Sequence, residues 1–153
     1  RRYVADGRQK TDYAGLDGKS HLTVDGYASG YSEGHAVSRL SSSAMRAVDG
    51  KGALTGPAFD ALGLLREGLA PAYADSAYGY ANAEGQLAIL PAYETVSPFQ
   101  GQRAVVSTMD MSMIIDSTGR QVARVAMECG VRALYGSHNQ RLWPLTLPRR
   151  CPR

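Results

Sequence analysis

Apolar and polar positions alternate in short runs along this chain, and glycine-bearing turns separate the runs. Residues 78–106, YGYANAEGQLAILPAYETVSPFQGQRAVV, show the order most fully. An alternating segment leads to Glu84-Gly85, then a second apolar segment, Pro91, the aromatics Tyr93 and Phe99, and a third segment after Gly101. A period of two over such short stretches predicts strands, and Gln86–Leu90 and Arg103–Ser107 carry the Val, Ile, Leu and Ala expected of them. An Asp-Gly or Glu-Gly pair between strands predicts a tight hairpin, because glycine accepts positive φ without a Cβ clash.

The order recurs. Asp49-Gly50-Lys51, Pro57, Phe59, Leu65 and Glu67-Gly68-Leu69-Ala70 repeat it, as do Asp17-Gly18-Lys19, Tyr27, Tyr31 and Glu33-Gly34-His35-Ala36. A worn fourth copy has Thr118-Gly119-Arg120 and Cys129-Gly130-Val131. Glycines 18, 50, 85 and 119 lie 32, 35 and 34 residues apart, and Ala36, Ala70 and Ala104 keep a spacing of 34. Several residue types in phase over three copies identify a true repeat. Each copy holds about three antiparallel strands, too few to bury a core alone, so neighbours must stack. The aromatics Tyr27, Phe59 and Tyr93, with Tyr31, Leu65 and Phe99, are expected to fill the seams between copies. The predicted fold is all-β: a single domain, residues 1–153, of tandem three-stranded repeats of about 34 residues, propeller-like or a closed meander, with an open β-solenoid as the alternative. Units are expected at 11–40, 44–73, 77–107 and 111–135. Residues 1–10 are expected to complete the last unit from the other end. Residues 136–153 form a C-terminal strap, with Trp143 and Leu145 packed on the array; Pro144, Pro148 and Pro152 exclude a helix there.

The order of residues resembles the WG (KWG) β-repeat family. Tyr78-Gly79-Tyr80, Gly85, Leu90-Pro91, Tyr93-Glu94, Phe99 and Ala104-Val105 follow its motif, as do Pro57-Ala58-Phe59-Asp60 and Arg66-Glu67-Gly68-Leu69-Ala70. The likeness covers residues 10 to 135, although no copy carries the Trp-Gly pair and Trp143 lies outside the array. It implies a β-repeat scaffold without catalytic residues.

Charge and cysteine refine the picture. The net +3 conceals an asymmetry: from Arg120 onward there are seven arginines and one acid, Glu128. Without a basic patch interleaved with exposed aromatics, a solvated Arg-rich terminus is preferred to a nucleic-acid site. No apolar stretch is long enough for a membrane span. Cys129 and Cys151 are expected to form a disulfide that pins the strap, which would place the protein in an oxidising compartment, the periplasm for a bacterial protein. Two free buried thiols are the alternative. A chain starting Arg1-Arg2-Tyr3 without Met reads as trimmed, with any signal peptide gone.

Catalytic chemistry is sparse. His21, His35 and His138 sit in unrelated contexts, no metal-ligand spacing is present, and Ser41-Ser42-Ser43 lacks a nucleophile elbow. No enzyme activity, cofactor or metal is expected. The oddity is Ser107-Thr108-Met109-Asp110-Met111-Ser112-Met113, three methionines among small hydroxyls on a connection. Met111 and Met113 could face inward, while Met109 and Asp110 at the tip suit an adaptable binding surface. The expected partner-binding residues are Ser107, Thr108, Met109, Asp110 and Ser112, with Asp75 and Ser76 on another connection. In size, repeats, expected export and lack of catalytic residues the chain also resembles periplasmic immunity proteins of type VI secreted peptidoglycan amidases. That implies a loop plugging a hydrolase cleft; a cell-wall or carbohydrate-binding module using exposed tyrosines is the alternative.

Overall fold

The computed structural model describes residues 1–128 and 130–144. Every regular element among them is a strand, so the protein is all-β. The first sheet contains β1 (Arg2–Ala5), β2 (Arg8–Ala14) and β3 (Ser20–Asp25). The second contains β4 (Tyr27–Ala28), β5 (Ala36–Ser41), β6 (Ala44–Val48) and β7 (Leu54–Phe59). The third contains β8 (Ala61–Leu62), β9 (Ala70–Ala74), β10 (Ala77–Ala81) and β11 (Leu87–Tyr93). The fourth has six strands: β12 (Thr95–Val96), β13 (Arg103–Ser107), β14 (Ser112–Asp116), β15 (Gln121–Glu128), β16 (Val131–Gly136) and β17 (Arg141–Trp143). Each is an open antiparallel meander in chain order, and none closes into a barrel. Two compact units result, residues 1–91 and the chain from Ala92 onward.

The sheets cut the repeat at a different phase from the one expected. Chain breaks between sheets fall at Gly26, Asp60 and Glu94, inside the expected units. The connections 39–44, 73–77 and 107–113, expected between units, are hairpin turns within a sheet. Residues 1–10, expected to complete the last unit, supply strand β1 and the start of β2 in the first sheet. β1 pairs with β2 in the register Arg2↔Thr11, because Asp6 and Gly7, both at positive φ, return the chain at once.

One turn recurs in every sheet and explains the glycine spacing. The carbonyls of Gly15, Asp49, Asn82 and Asp116 accept the N–H of Gly18, Gly52, Gly85 and Gly119 at 3.0, 3.1, 3.0 and 3.0 Å. Those four glycines have φ of +74°, +82°, +77° and +85°. The second copy therefore uses Gly52 rather than Gly50, and the true spacings are 34, 33 and 34. The acid at position 49 sets this register: its Oδ1 accepts the N–H of Lys51 at 2.8 Å and of Ala53 at 2.9 Å. Asp116 does the same for Thr118 and Arg120, and the Asn82 amide oxygen for Glu84 and Gln86.

These bonds hold the Asp49 carboxyl below its ordinary pKa, chiefly through the Ala53 and Lys51 amides. Asp116 is lowered first by the Thr118 hydroxyl. A carboxyl whose folded pKa is depressed adds stability above its unfolded value and loses it as pH falls through the folded one. Asn82 already fills this role without charge. Asp49→Asn with Asp116→Asn keeps the acceptor oxygens but removes the charge, so it is expected to lower urea midpoints modestly at neutral pH and to flatten their fall on acidification. An acid limb as steep as that of the parent would refute the assignment.

A second turn carries the Glu-Gly pairs. Glu33-Gly34, Glu67-Gly68 and Gly101-Gln102 occupy the two positive-φ positions between the bridges Ser32↔His35, Arg66↔Leu69 and Gln100↔Arg103. The third copy places its glycine first, and Arg103 is the counterpart of His35 and Leu69.

In the first unit these turns also join the sheets. A Cβ on Gly85 would lie 2.8 Å from the Thr55 carbonyl oxygen, and one on Gly52 would meet the Leu22 side chain at 2.7 Å. The turn of each sheet thus sits on the last strand of the sheet before it. Gly18, in the first sheet, has nothing within 4 Å. At the other turn, the Glu33 carboxylate accepts the N–H groups of Glu67 and Gly68 at 2.6 and 2.9 Å, and Arg66 donates to the Ser32 hydroxyl. Between sheets lie Val37, Phe59, Leu62, Leu65 and Ala72 as one cluster, and Val24, Ala28, Ala36 and Val48 as another. Phe59, Leu65 and Phe99 are buried as expected. Tyr31 is partly exposed, with its hydroxyl donating to the Asp49 carbonyl at 2.9 Å and its ring edge-on to Tyr13 at 5.2 Å.

Candidate protein-binding surface

The Ser107–Ser112 loop joins β13 to β14. Ser107 pairs with Ser112, and the Thr108 N–H donates to the Met111 carbonyl at 2.9 Å, which leaves Met109 and Asp110 at the tip. Met109 is 86% exposed and Met111 44%, whereas Met113 is half-buried on β14. Only Met113 faces inward. Ser107 is less available than expected, since its hydroxyl shares a hydrogen bond with Thr95 on β12. The hydroxyls of Thr108 and Ser112 and the Asp110 carboxylate have no protein partner among the described residues.

The loop borders an open groove of about 620 Å³ whose other wall is the sheet. Alternation decides which side chains reach it. Ala104 and Val106 are buried, so Val105 between them turns outward. Ser112 lies opposite Val125 on β15, and Met127, two residues further on, shares that face and is 66% exposed. Arg132 on β16 stands directly across from Met127. Val105, Met127 and Arg132 are therefore part of the surface although the sequence did not single them out. The period of two on β13 signals Val105; Met127 becomes visible only once β15 is in register with β14.

Asp75 and Ser76 belong to the first unit. They are the two exposed central residues of the β9–β10 turn, at φ +53° and +64°, with Ala74 opposite Ala77. This two-residue geometry favours glycine, and Ser76 pays a Cβ clash that Asp75 tolerates better through its short polar side chain. Ser76→Gly is expected to raise stability by about 0.5–1 kcal/mol, read from the urea midpoint. A loss of stability would show that the Ser76 side chain has a further role.

Other sequence expectations resolve separately. Trp143 is 59% exposed rather than packed on the array, because β17 is the outermost strand of its sheet and no described strand lies beyond it. Leu145, Cys129 and Cys151, and with them the expected disulfide, lie outside the described residues. Two of the C-terminal arginines are engaged: Arg124 lies over the Tyr135 ring at 4.3 Å and Arg141 is 3.3 Å from Glu128. His21 is 3.0 Å from Asp17, His35 contacts the Glu33 carbonyl at 3.1 Å, and His138 contacts Ser137 at 3.3 Å. Among the described residues no three His, Cys, Asp or Glu side chains converge on a metal-sized site, and no helix is long and apolar enough to cross a membrane.

No family model matches this chain, and no curated protein matches it. Neither the WG resemblance nor the immunity-protein resemblance gains support from these comparisons.

Proposed function

We propose that this protein is a non-enzymatic binding protein that docks another protein through the Ser107–Ser112 loop and the groove beside it. One observation supports this most: apolar side chains at Val105, Met109, Met111 and Met127 lie exposed around a single concavity, rimmed by unpartnered hydroxyls and a carboxylate. Exposed apolar surface costs solubility and is usually kept for recognition. Flexible thioether side chains let such a surface adapt to its partner.

The partner we favour is a secreted peptidoglycan amidase, whose cleft would admit the projecting hairpin. Met109 would fill the cleft while Asp110 and Thr108 hydrogen-bond the groups that line it, excluding substrate. This reading requires export to the periplasm. The test is inhibition of purified secreted peptidoglycan amidases by the purified protein, expected to be complete for its cognate enzyme at near 1:1 stoichiometry. Met109→Ala with Asp110→Ala is expected to weaken inhibition at least about tenfold, since truncating a hot-spot anchor costs about 2 kcal/mol or more. Undiminished inhibition by that variant would remove the loop from the interface. Sedimentation of the protein with peptidoglycan would favour a wall-binding module instead.

A further inference from the structure

Three thioethers border one groove. Met109 and Met111 come from the β13–β14 loop and Met127 from the end of β15. The register explains their meeting: with Ser112 opposite Val125, the residues before Ser112 and those after Val125 lie at the same end of the sheet. All three side chains are exposed, at 86%, 44% and 66%.

Thioether sulfur is a neutral, soft donor. It suits Cu(I) and its analogue Ag(I), and is a poor ligand for Mg²⁺, Ca²⁺ or Mn²⁺, which require oxygen. Asp110 adds one unpartnered carboxylate between two of the methionines, enough to offset a single positive charge. Arg132 is the only cationic side chain among the described residues lining the groove, and it opposes any metal ion there. With the charges of Asp110 and Arg132 offsetting each other, the groove offers no net negative charge to hold a hard divalent ion, and the soft sulfur donors decide the choice.

We propose that Met109, Met111 and Met127 form a binding site for one soft monovalent cation, Cu(I) or Ag(I). The proposal goes beyond docking, because it uses the sulfur lone pairs rather than the apolar surface. It stands whether or not the loop binds a protein.

The experiment uses the full chain, with any free thiols alkylated and the methionine methyl groups labelled with ¹³C, titrated with Ag(I) in chloride-free buffer. The methyl signals of Met109, Met111 and Met127 are expected to shift together and saturate at one equivalent, while those of Met45 and Met113 stay in place. Met109→Leu, Met111→Leu and Met127→Leu, which nearly conserve volume, are each expected to weaken Ag(I) affinity at least tenfold, roughly the loss of one ligand bond. Retained methyl spectra elsewhere would confirm that the variants fold. Independent titration of the three methyl groups, shifts shared equally by Met45 and Met113, or affinity unchanged by the leucine variants would overturn the site.

Discussion

Gly56→Ala is expected to destabilise the first unit by about 2–5 kcal/mol, against about 1–2 kcal/mol for Gly68→Ala. Both glycines have positive φ, +68° and +82°, so each replacement incurs the left-handed penalty of a Cβ. Their surroundings differ. A Cβ on Gly68 meets nothing within 4 Å, whereas one on Gly56 would come 2.6 Å from the Gly85 carbonyl carbon and 2.8 Å from the Glu84 carbonyl oxygen. These are backbone atoms of a turn already fixed by hydrogen bonds, so the second sheet must shift away from the third. Gly56 also lies in an irregular stretch of β7, where Met45 pairs with Phe59 but Ala47 pairs with Thr55, and the Arg46 side chain donates to the Gly56 carbonyl at 2.9 Å. Urea denaturation of both variants checks this. Equal losses would mean that the two sheets do not approach as described. With total stability of about 5–15 kcal/mol typical of a domain, the Gly56 variant would lose much of its margin.

Thr11→Val is expected to cost about 2–5 kcal/mol, although the two side chains have nearly the same shape. Thr11 is 5% exposed. Its hydroxyl donates to the Gly26 carbonyl at 2.7 Å and accepts the Ala28 N–H at 2.9 Å. The chain leaves the first sheet and enters the second across these residues, and the Gly26 N–H donates to the Gln9 carbonyl at 2.7 Å. Where the backbone passes between sheets the strand ladder is interrupted, and the Gly26 carbonyl and the Ala28 N–H turn to a side chain instead. Thr11 supplies that partner from β2. Valine would leave two buried backbone groups unpaired at about 1–3 kcal/mol each. Thr11→Ser keeps the hydroxyl and removes one methyl, and should cost about 1 kcal/mol. Similar urea midpoints for the valine and serine variants would show that water or relaxation replaces the hydroxyl.

The strands and the repeat were legible in the sequence because they depend on local chemistry: alternation, turn glycines and a spacing of 34. The phase was not. A period fixes how often a unit recurs but not where it starts, and only the hydrogen bonds from β4 to β5 and from β8 to β9 place the breaks at Gly26 and Asp60. Gly50 misled for a related reason. Asp49-Gly50 looks like a two-residue hairpin, yet the Asp49 side chain caps Lys51 and Ala53 and moves the left-handed position to Gly52. At the candidate surface, the loop methionines stood out by composition alone. Met127 did not, since its place in the groove comes from pairing β15 with β14, a relation that no short window of sequence carries. Nor could the sequence show that the Ser107 hydroxyl is already engaged by Thr95, a contact set by the pairing of β12 with β13.

The Glu33 clasp on the Glu67-Gly68 turn links groups one period apart, 34 and 35 positions along the chain. A carboxylate gripping the turn of the following copy is an adhesive with a fixed reach, supplied anew by each copy that keeps the acid. A module duplicated in the gene together with its acid would therefore bring its own joint, with a reach equal to the repeat.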